Sequence, residues 1–394
     1  MNTKYNFIFY SIMMLSCTHT VTVNNEKRGE LTATYHLVVN DEKRILLDNE
    51  TAPCSPYIQM IEDTTGTRLL TFLNPYKNSI YYYDYEKEFI IGRINYEKEG
   101  PNGILWPTGY YIKNMDSIYV YNRRMLEIAL TDSAGRVKRR ISLRDDQQGD
   151  IWTLYFPQYL FNTVIPIIEI QGMLILTGFY HSSISSKMID LFLFTACIDI
   201  KTSEIKFMFK YPGELYGSDS NWEGGLATLV YPEISPTGEI IHSFPVSHDL
   251  YITSWNSAMY KTVYAGSNTA STIHSIDWET DSTPAEVILA HIAREDMYTA
   301  IRYDSWRKVY YRILLKGIPN ATHSTPKEKK PITIIIMDEQ FNYLGETVIG
   351  DGEQWNWKNI FVTREGLNIE YLSEDDLDED YMIFKIFTIE KKQL

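Results

Sequence analysis

The feature that most constrains this chain is a repeated pattern of short β-type segments. From Tyr35 to the C-terminus, runs rich in Tyr, Ile, Val, Phe and Thr alternate with turns containing Gly, Asn, Asp and Lys. Such runs predict β-strands. They group into units of several strands that recur roughly every 50 to 60 residues, which is typical of a propeller or an array. The grouping in fours favours a six-bladed β-propeller, while a pair of β-sandwiches and a β-solenoid remain as alternatives.

Six units can be delimited along the chain. The first four begin near residues 57, 109, 164 and 225, and the fifth covers about 298–348 with an insertion at about 317–330. The sixth, with the runs NIFVT, GLNIEY and YMIFKIFTI, is one strand short. The N-terminal run Ala33–Val39 belongs to no unit. Because closed propellers remove exposed sheet edges, we expect this run to complete the final blade.

One helix is predicted, near residues 284–295, between the fourth and fifth units. Thr283 provides an N-cap, Pro284 suits the first helical position, and Glu286 lies three residues after the cap. Val287, Ile288 and Ile292 then follow with helical spacing. We therefore expect this helix on a face or rim of the ring.

The N-terminus has the pattern of a bacterial secretion signal. Lys4 precedes the apolar stretch from Phe7 to Leu15, which is too short for a bilayer span of about 20 residues. The sequence Met14-Leu15-Ser16-Cys17 resembles the lipobox of bacterial lipoproteins, and this resemblance implies acylation of Cys17. An ordinary signal peptide with an incidental cysteine is the alternative.

These features divide the chain into three parts. Residues 1–16 are expected to be a lipoprotein signal peptide, 17–32 a polar tether, and 33–394 a single propeller domain. The expected location is the cell envelope, as an outer-membrane lipoprotein. The first acidic residue after the cysteine is Glu26, so periplasmic and surface-facing positions both stay open.

Charge and motifs exclude several classes of function. With 51 acidic against 37 basic residues and a net charge of −14, the chain is not expected to bind nucleic acid. There is no phosphate-binding glycine loop, no Gly-x-Ser-x-Gly elbow and no His-Glu-x-x-His helix. Besides Cys17, only Cys54 and Cys197 are present, and the sequence has no cysteine–histidine spacing typical of a zinc site. We assign no catalytic residue, no metal and no cofactor.

Aromatic loops are the best candidates for binding a ligand. Trp306 and Arg307 lie in the run YDSWRKVYYR, and Trp106, Trp222 and Trp357 lie in loops between units. Aromatic faces stack on sugar rings and arginine donates hydrogen bonds to hydroxyls. If these loops converge on one face of the ring, they form a binding surface.

Histidines and a carboxylate also cluster in the run HSFPVSHD. His242, His248 and Asp249 could bind a metal or move protons. A structural or exposed role is the preferred interpretation, because His242 lies within a predicted strand.

Several strings together resemble a known family. SPTGEIIHSFPVSHDLYI (235–252), YDSWRKVYYRILL (303–315) and the closing GLNIEY and YMIFKIFTI are similar to segments of the domain-of-unknown-function 4221 family of Bacteroidota lipoproteins. The resemblance covers most of the mature chain and extends to TolB-like six-bladed propellers. It implies a propeller lipoprotein and no particular reaction.

Three functions are therefore compared. The first is a non-enzymatic, lipid-anchored propeller at the cell envelope that binds a ligand, such as a glycan, or a protein partner through loops on one face. The second is an envelope polysaccharide hydrolase or lyase, which needs two carboxylates about 5 to 9 Å apart across a central pocket. The third is a scaffold that works with an envelope protein complex.

Overall fold

Six four-stranded antiparallel sheets form the blades of a ring, which confirms the predicted six-bladed β-propeller. The structure is a computed structural model and describes residues 20–51, 55–144, 155–217, 220–255, 257, 259–372 and 380–393. The expected signal peptide and Cys17 lie outside these residues.

The strands of each blade follow one another along the chain. Blade one contains β3 to β6 (Ile58–Glu62, Arg68–Asn74, Ser79–Asp84, Phe89–Asn95), and blade two contains β7 to β10 (Pro107–Asn114, Ser117–Asn122, Glu127–Thr131, Val137–Ser142). Blade three contains β11 to β14 (Ile168–Ile170, Met173–Thr177, Thr195–Asp199, Ile205–Met208), and blade four contains β15 to β18 (Tyr231–Ile234, Ile240–Ser243, Asp249–Thr253, Lys261–Tyr264). Blade five contains β20 to β23 (Met297–Asp304, Val309–Leu315, Pro331–Asp338, Tyr343–Asp351). Blade six combines β24 to β26 (Trp355–Val362, Leu367–Tyr371, Tyr381–Lys391) with β2 (Tyr35–Leu46), and a separate ribbon pairs β1 (Thr22–Val23) with β19 (Ile273–His274).

The direction of the strands defines two faces of the ring. The first strand of a blade lies innermost, and first strands of neighbouring blades contact one another, as β15 contacts β20 and β20 contacts β24. Because the strands alternate in direction, the hairpins between strands one and two and between strands three and four lie on one face, the lower face. The connections between blades and the hairpins between strands two and three lie on the opposite, upper face.

A recurring aspartate ends strands at the lower face. In each case its Oδ1 accepts two backbone N–H bonds from the following turn, as Asp63 does from Thr65 at 2.8 Å and Thr67 at 2.9 Å. The same arrangement occurs at Asp84, Asp132, Asp199, Asp304 and Asp338. These Asx turns end strands at the same place in several blades, which contributes to the regular spacing of strands and turns along the sequence.

The N-terminal strand closes the ring as predicted. β2 pairs antiparallel with β26 from Tyr35 opposite Lys391 to Leu46 opposite Tyr381, with a bulge between Val39 and Asp41. The strand extends seven residues beyond the predicted end at Val39. Blade six thus joins an N-terminal strand to the last strands of the chain.

Where the structure describes the expected tether, the chain packs on the propeller and is not a free linker. Residues 20–34, which we call the strap, lie against blades four and five. Asn25 donates from Nδ2 to the carbonyl oxygens of Ser267 at 2.8 Å and Ala270 at 2.9 Å, and Gly29 N–H donates to Asn268 O at 2.9 Å. A Cβ on Gly345 would lie 2.0 Å from the carbonyl oxygen of Tyr35, so only glycine permits this approach at the end of the strap.

The predicted helix is present, but its predicted cap is not. α1 is a short turn at Gly213–Tyr216, and α2 spans Ala285–Arg294. Pro284 is the N-cap residue and makes no side-chain cap bond; the Thr283 hydroxyl instead donates to the carbonyl oxygen of Glu279 at 2.9 Å. Single 3₁₀ turns occur at Gly225–Thr228, Thr280–Ser282 and Lys327–Lys329. Within the described ranges, no helix is long and apolar enough to span a bilayer.

Candidate functional site

The five predicted binding residues do not share one face. Trp106 and Trp222 lie in connections between blades, and Trp357 lies near the start of β24, so all three belong to the upper part of the ring. Trp306 and Arg307 lie in the hairpin between β20 and β21, on the lower face. The expected convergence of all the aromatic loops is therefore not found.

On the lower face, Arg307 joins two blades. Its guanidinium donates to Asp304 Oδ2 at 3.0 Å and to the carbonyl oxygens of Arg364 at 3.0 Å and Glu365 at 2.6 Å. These acceptors come from its own hairpin and from the first hairpin of blade six. The side chain is thus engaged in joining blades, while Trp306 beside it is 57% exposed.

The two other upper-face tryptophans have different surroundings. Trp222 is buried, and its indole N–H donates to the carbonyl oxygen of Leu215 in α1 at 2.8 Å. Trp106 is 48% exposed, with the Arg123 guanidinium 5.1 Å from its ring centroid. Trp222 is thus part of the core, and Trp106 is a surface residue of blade two.

Trp357 lines a cavity on the upper face, which we call the upper pocket. The cavity has a volume of about 160 Å³ and lies between blades five and six and helix α2. Tyr231 and Trp357 face each other there, with ring centroids 6.2 Å apart and planes at 62°. Trp355 forms another wall, and its ring packs against Tyr371 and Phe387 at centroid distances of 5.1 and 5.4 Å. Further lining residues are Leu226, Ile292, Met297, Thr299, Leu315, Gly352, Asn356 and Leu372.

Lysines add positive charge to this aromatic cavity. Lys327, Lys330 and Lys358 all line it, together with one acidic residue, Glu328. The Lys358 ammonium lies 5.7 Å from the Trp357 ring centroid. Beside Lys327, burial raises the pKa of Glu223 to about 7, although the lysine charge opposes this shift. The pocket is thus more basic than a chain with a net charge of −14 would suggest.

Lys330 is the deepest of the three lysines. It is 2% exposed, and its Nζ donates to the carbonyl oxygens of Ile292 at 2.8 Å and Glu295 at 2.6 Å. It therefore caps the C-terminal end of α2, where the helix dipole favours a cation. Burial lowers the pKa of its ammonium to about 8, although Asp296 and Glu295 oppose this shift.

A buried carboxyl lies directly behind the pocket wall. Glu370 is fully buried, and its Oε2 accepts bonds from Asn356 Nδ2 at 2.6 Å and Asn359 Nδ2 at 2.7 Å. Its Oε1 is buried and has no hydrogen-bond partner among the described residues. Burial raises the pKa of Glu370 to about 7, and the two asparagine bonds offset only part of that shift. This carboxyl is therefore about half protonated near neutral pH.

The centre of the ring is filled by the chain itself. Residues 155–167, the central segment, form the last described part of the connection from blade two to blade three. Thr163 Oγ1 donates to Asn359 Oδ1 at 2.5 Å and accepts from Ile58 N–H at 2.9 Å, and the Thr163 carbonyl accepts from Arg302 at 2.6 Å. A Cβ on Gly109 would lie 2.5 Å from Phe161 Cβ, so the segment also presses on blade two.

This arrangement bears on the hydrolase or lyase hypothesis. Cleavage across the ring needs an open central pocket with facing carboxylates, and Val164 and Ile165 of the central segment lie buried in that position. The carboxylate of Glu233 on β15 is paired with Arg302 at 3.3 Å. The central pocket that this hypothesis requires is therefore occupied by the central segment.

The histidine cluster is structural. His242 is fully buried among aromatic rings, with Phe194 and Phe209 both at centroid distances of 5.3 Å. The His248 Nδ1 and the Tyr298 hydroxyl are hydrogen-bonded at 2.9 Å. In the part of the chain that the structure covers, no group of three or more His, Cys, Asp or Glu side chains could hold a metal ion. Cys197 is a free, buried thiol, and Cys54 lies outside the described residues.

Most residues of the upper pocket were not predicted as site residues. Trp357 was predicted, and the adjacent Trp355 belongs to the same aromatic loop. Tyr231 and Lys330 carry no local signal, because a tyrosine and a lysine beside predicted strands are ordinary residues. Only the closure of the ring brings these positions together.

Comparison with known proteins supports the fold. A Bacteroides vulgatus protein of the same family has a structure that matches with a TM-score of 0.72 at 20% identity, covering 91% of this chain and 99% of that chain. A Bacteroides fragilis protein whose description suggests export matches with a TM-score of 0.52 at 10% identity, covering 91% and 96% of the two chains. No curated protein matches the chain. The family model described as a domain of unknown function (DUF4221) matches residues 34–348, and the chain therefore belongs to this family.

Proposed function

We propose that this protein is a lipid-anchored cell-envelope protein that binds a small anionic ligand with a ring-shaped apolar face in the upper pocket. The observation that carries the proposal is the combination of the Tyr231 and Trp357 rings with Lys327 and Lys358 around one cavity. An acidic sugar fits this chemistry, because its ring face stacks on aromatic side chains and its carboxylate pairs with lysine.

Size and charge restrict the ligand further. A volume of about 160 Å³ is below the roughly 300 to 1,000 Å³ of pockets for drug-sized molecules, so the cavity suits one terminal ring of a longer glycan. The large negative charge of the whole chain repels anions elsewhere on the surface. Selectivity for an anion therefore depends on the local lysines, and Lys327 and Lys358 are the exposed ones, since Lys330 is buried and caps helix α2.

The cell-envelope location is supported by the N-terminal sequence. The signal-like residues 1–16 and the lipobox-like Met14-Leu15-Ser16-Cys17 favour export followed by acylation of Cys17. The B. fragilis protein whose description suggests export is consistent with this location. The mass of the mature protein purified from cells, compared with that of a Cys17→Ser variant, tests acylation directly. An unmodified Cys17, or a chain that retains residues 1–16, would refute this part of the proposal.

Binding is tested by calorimetry with digalacturonate and with its dimethyl ester, which has the same sugar rings but carries no charge. We expect the acid to bind and the ester to bind at least tenfold more weakly, which is about 1.4 kcal/mol. Trp357→Ala and Lys358→Gln should each weaken binding of the acid by about tenfold or more. Trp106→Ala, on the same face but outside the pocket, is the matched control and should have no effect. Equal binding of acid and ester, or full affinity in both pocket variants, would refute the assignment.

A further inference from the structure

The strap determines where a lipid anchor must leave the propeller. Val21 N–H donates to Ser275 Oγ at 2.9 Å, and Ser275 N–H donates back to the Val21 carbonyl at 2.9 Å. The Thr20 hydroxyl reaches Asp277 Oδ1 at 3.4 Å. The strap is thus fixed up to Thr20 on the connection between blades four and five, at the upper face.

The remaining distance to Cys17 is short. Three residue steps separate Cys17 from Thr20, and an extended chain covers at most about 3.6 Å per residue, or about 11 Å in total. An acyl chain on Cys17 lies in the bilayer. A lipidated protein must therefore keep this part of its upper face within about 11 Å of the membrane interface.

Two exposed apolar side chains lie on the same connection. Trp278, one residue beyond Asp277, is 44% exposed, and Leu289 on the outward side of α2 is 50% exposed. The Trp278 indole N–H donates to the carbonyl oxygen of Ser282 at 3.1 Å, which keeps the ring at the surface with its polar atom satisfied. Tryptophan in this state is typical of the membrane–water interface.

The charges nearby indicate which lipid surface fits. Glu279 and Glu286 are exposed on the same connection, next to Trp278 and on the outward side of α2. An anionic surface would repel them, so contact must depend on the anchor and the apolar side chains. A zwitterionic lipid surface agrees both with the exposed acidic side chains and with the exposed apolar ones.

We propose that the upper face between blades four and five lies on the membrane, with Trp278 and Leu289 in the interface. The proposal rests on the acylation of Cys17 proposed above. It also places the upper pocket, whose wall includes Ile292 of the same helix, on the membrane side of the ring.

The test attaches the lipid chemically, so that it does not depend on processing in the cell. A maleimide phospholipid is coupled to Cys17 of the mature chain carrying Cys54→Ser, and the product is bound to phosphatidylcholine vesicles containing brominated lipid. We expect bromine to quench part of the tryptophan fluorescence, and Trp278→Phe to remove most of that quenched part. Trp306→Phe, which changes a similarly exposed tryptophan on the lower face, is the matched control and should leave quenching unchanged.

Hydrogen exchange provides a second readout. Vesicle binding should slow exchange in residues 274–290 and leave the lower-face hairpin at residues 304–309 unaffected. Unchanged quenching in Trp278→Phe, or protection of the lower hairpin instead, would overturn the membrane orientation. Those results would leave native acylation untouched, because the mass of the protein from cells reports on it separately.

Discussion

The buried carboxyl of Glu370 should make the stability of the protein depend on pH in an identifiable way. Burial outweighs the bonds from Asn356 and Asn359, so the folded chain has a Glu370 pKa of about 7 against the ordinary value of 4.5. The folded state therefore holds a proton that the unfolded state releases. Because the unfolded state binds fewer protons in this window, stability falls as the pH rises.

The size of the effect follows from the two pKa values. The free energy of unfolding is reduced by about 1 kcal/mol at pH 5 and by about 3 kcal/mol at pH 8, relative to strongly acidic solution. Glu370 alone thus removes about 2 to 3 kcal/mol between pH 5 and pH 8. Above about pH 8 the loss levels off, since both states are then ionised.

The perturbation that isolates this contribution is Glu370→Gln. Glutamine has nearly the same shape as glutamate and does not titrate. Any pH-independent change in the free energy of unfolding that the amide causes therefore cancels when the same variant is compared at two pH values. Urea unfolding followed by tryptophan fluorescence at pH 5, 6, 7 and 8 should show the wild type losing about 2 to 3 kcal/mol more than the variant. Glu97→Gln, at an exposed position, is the control and should follow the wild type. If Glu370→Gln and the wild type have parallel pH profiles, the carboxyl is ionised in the folded chain and the reasoning fails.

Two further substitutions test other buried groups. Both ring nitrogens of His242 are buried with no hydrogen-bond partner among the described residues, so His242→Leu should raise the free energy of unfolding by about 1 to 2 kcal/mol at pH 7. Since burial lowers the pKa of His242 to about 3, the advantage of the variant should grow as the pH falls below about 6.5, and a constant difference would contradict this. Arg312 is fully buried and donates to Ser243 Oγ and to four carbonyl oxygens, those of Ser247, His248, Asp249 and Ala265. Arg312→Lys offers at most three donors and should cost at least about 3 kcal/mol in urea unfolding, whereas a cost below about 1 kcal/mol would show that these bonds are dispensable.

The blades could be predicted from the sequence because their signals are local. Alternating apolar residues and the Asx turns are patterns within a few neighbouring residues. The strand missing from the last unit was then enough to predict that β2 joins the final blade. The strap could not be predicted in this way. Its hydrogen bonds come mainly from Asn25 and from backbone groups, and its two core-packed apolar residues, Val21 and Val23, form no longer pattern, so the sequence resembles a free linker.

The candidate site depends on contacts that are distant in the chain. Thr163 binds Ile58 and Asn359, which are 105 and 196 positions away. No local sequence pattern therefore predicts that the central segment fills the centre of the ring. Trp222 was predicted to bind a ligand because it lies in an aromatic loop between units. The loop around it instead folds over α1 and takes the ring into the core. Trp357 was predicted as a ligand-binding residue, and it lines the upper pocket, but the other walls of this pocket come from separate blades.

The closure of blade six also has a consequence for how the protein is made. β2 emerges from the ribosome before blades one to five, yet its partner β26 follows them, and the ion-paired Glu42 and Lys385 are 343 residues apart. During synthesis, β2 therefore remains unpaired while five blades form, with an open edge that could join other chains. Folding should end in a slow step, because closing so large a loop carries a high entropic cost before any bond between β2 and β26 forms. A chaperone that covers this edge would raise the yield of folded protein without changing its stability.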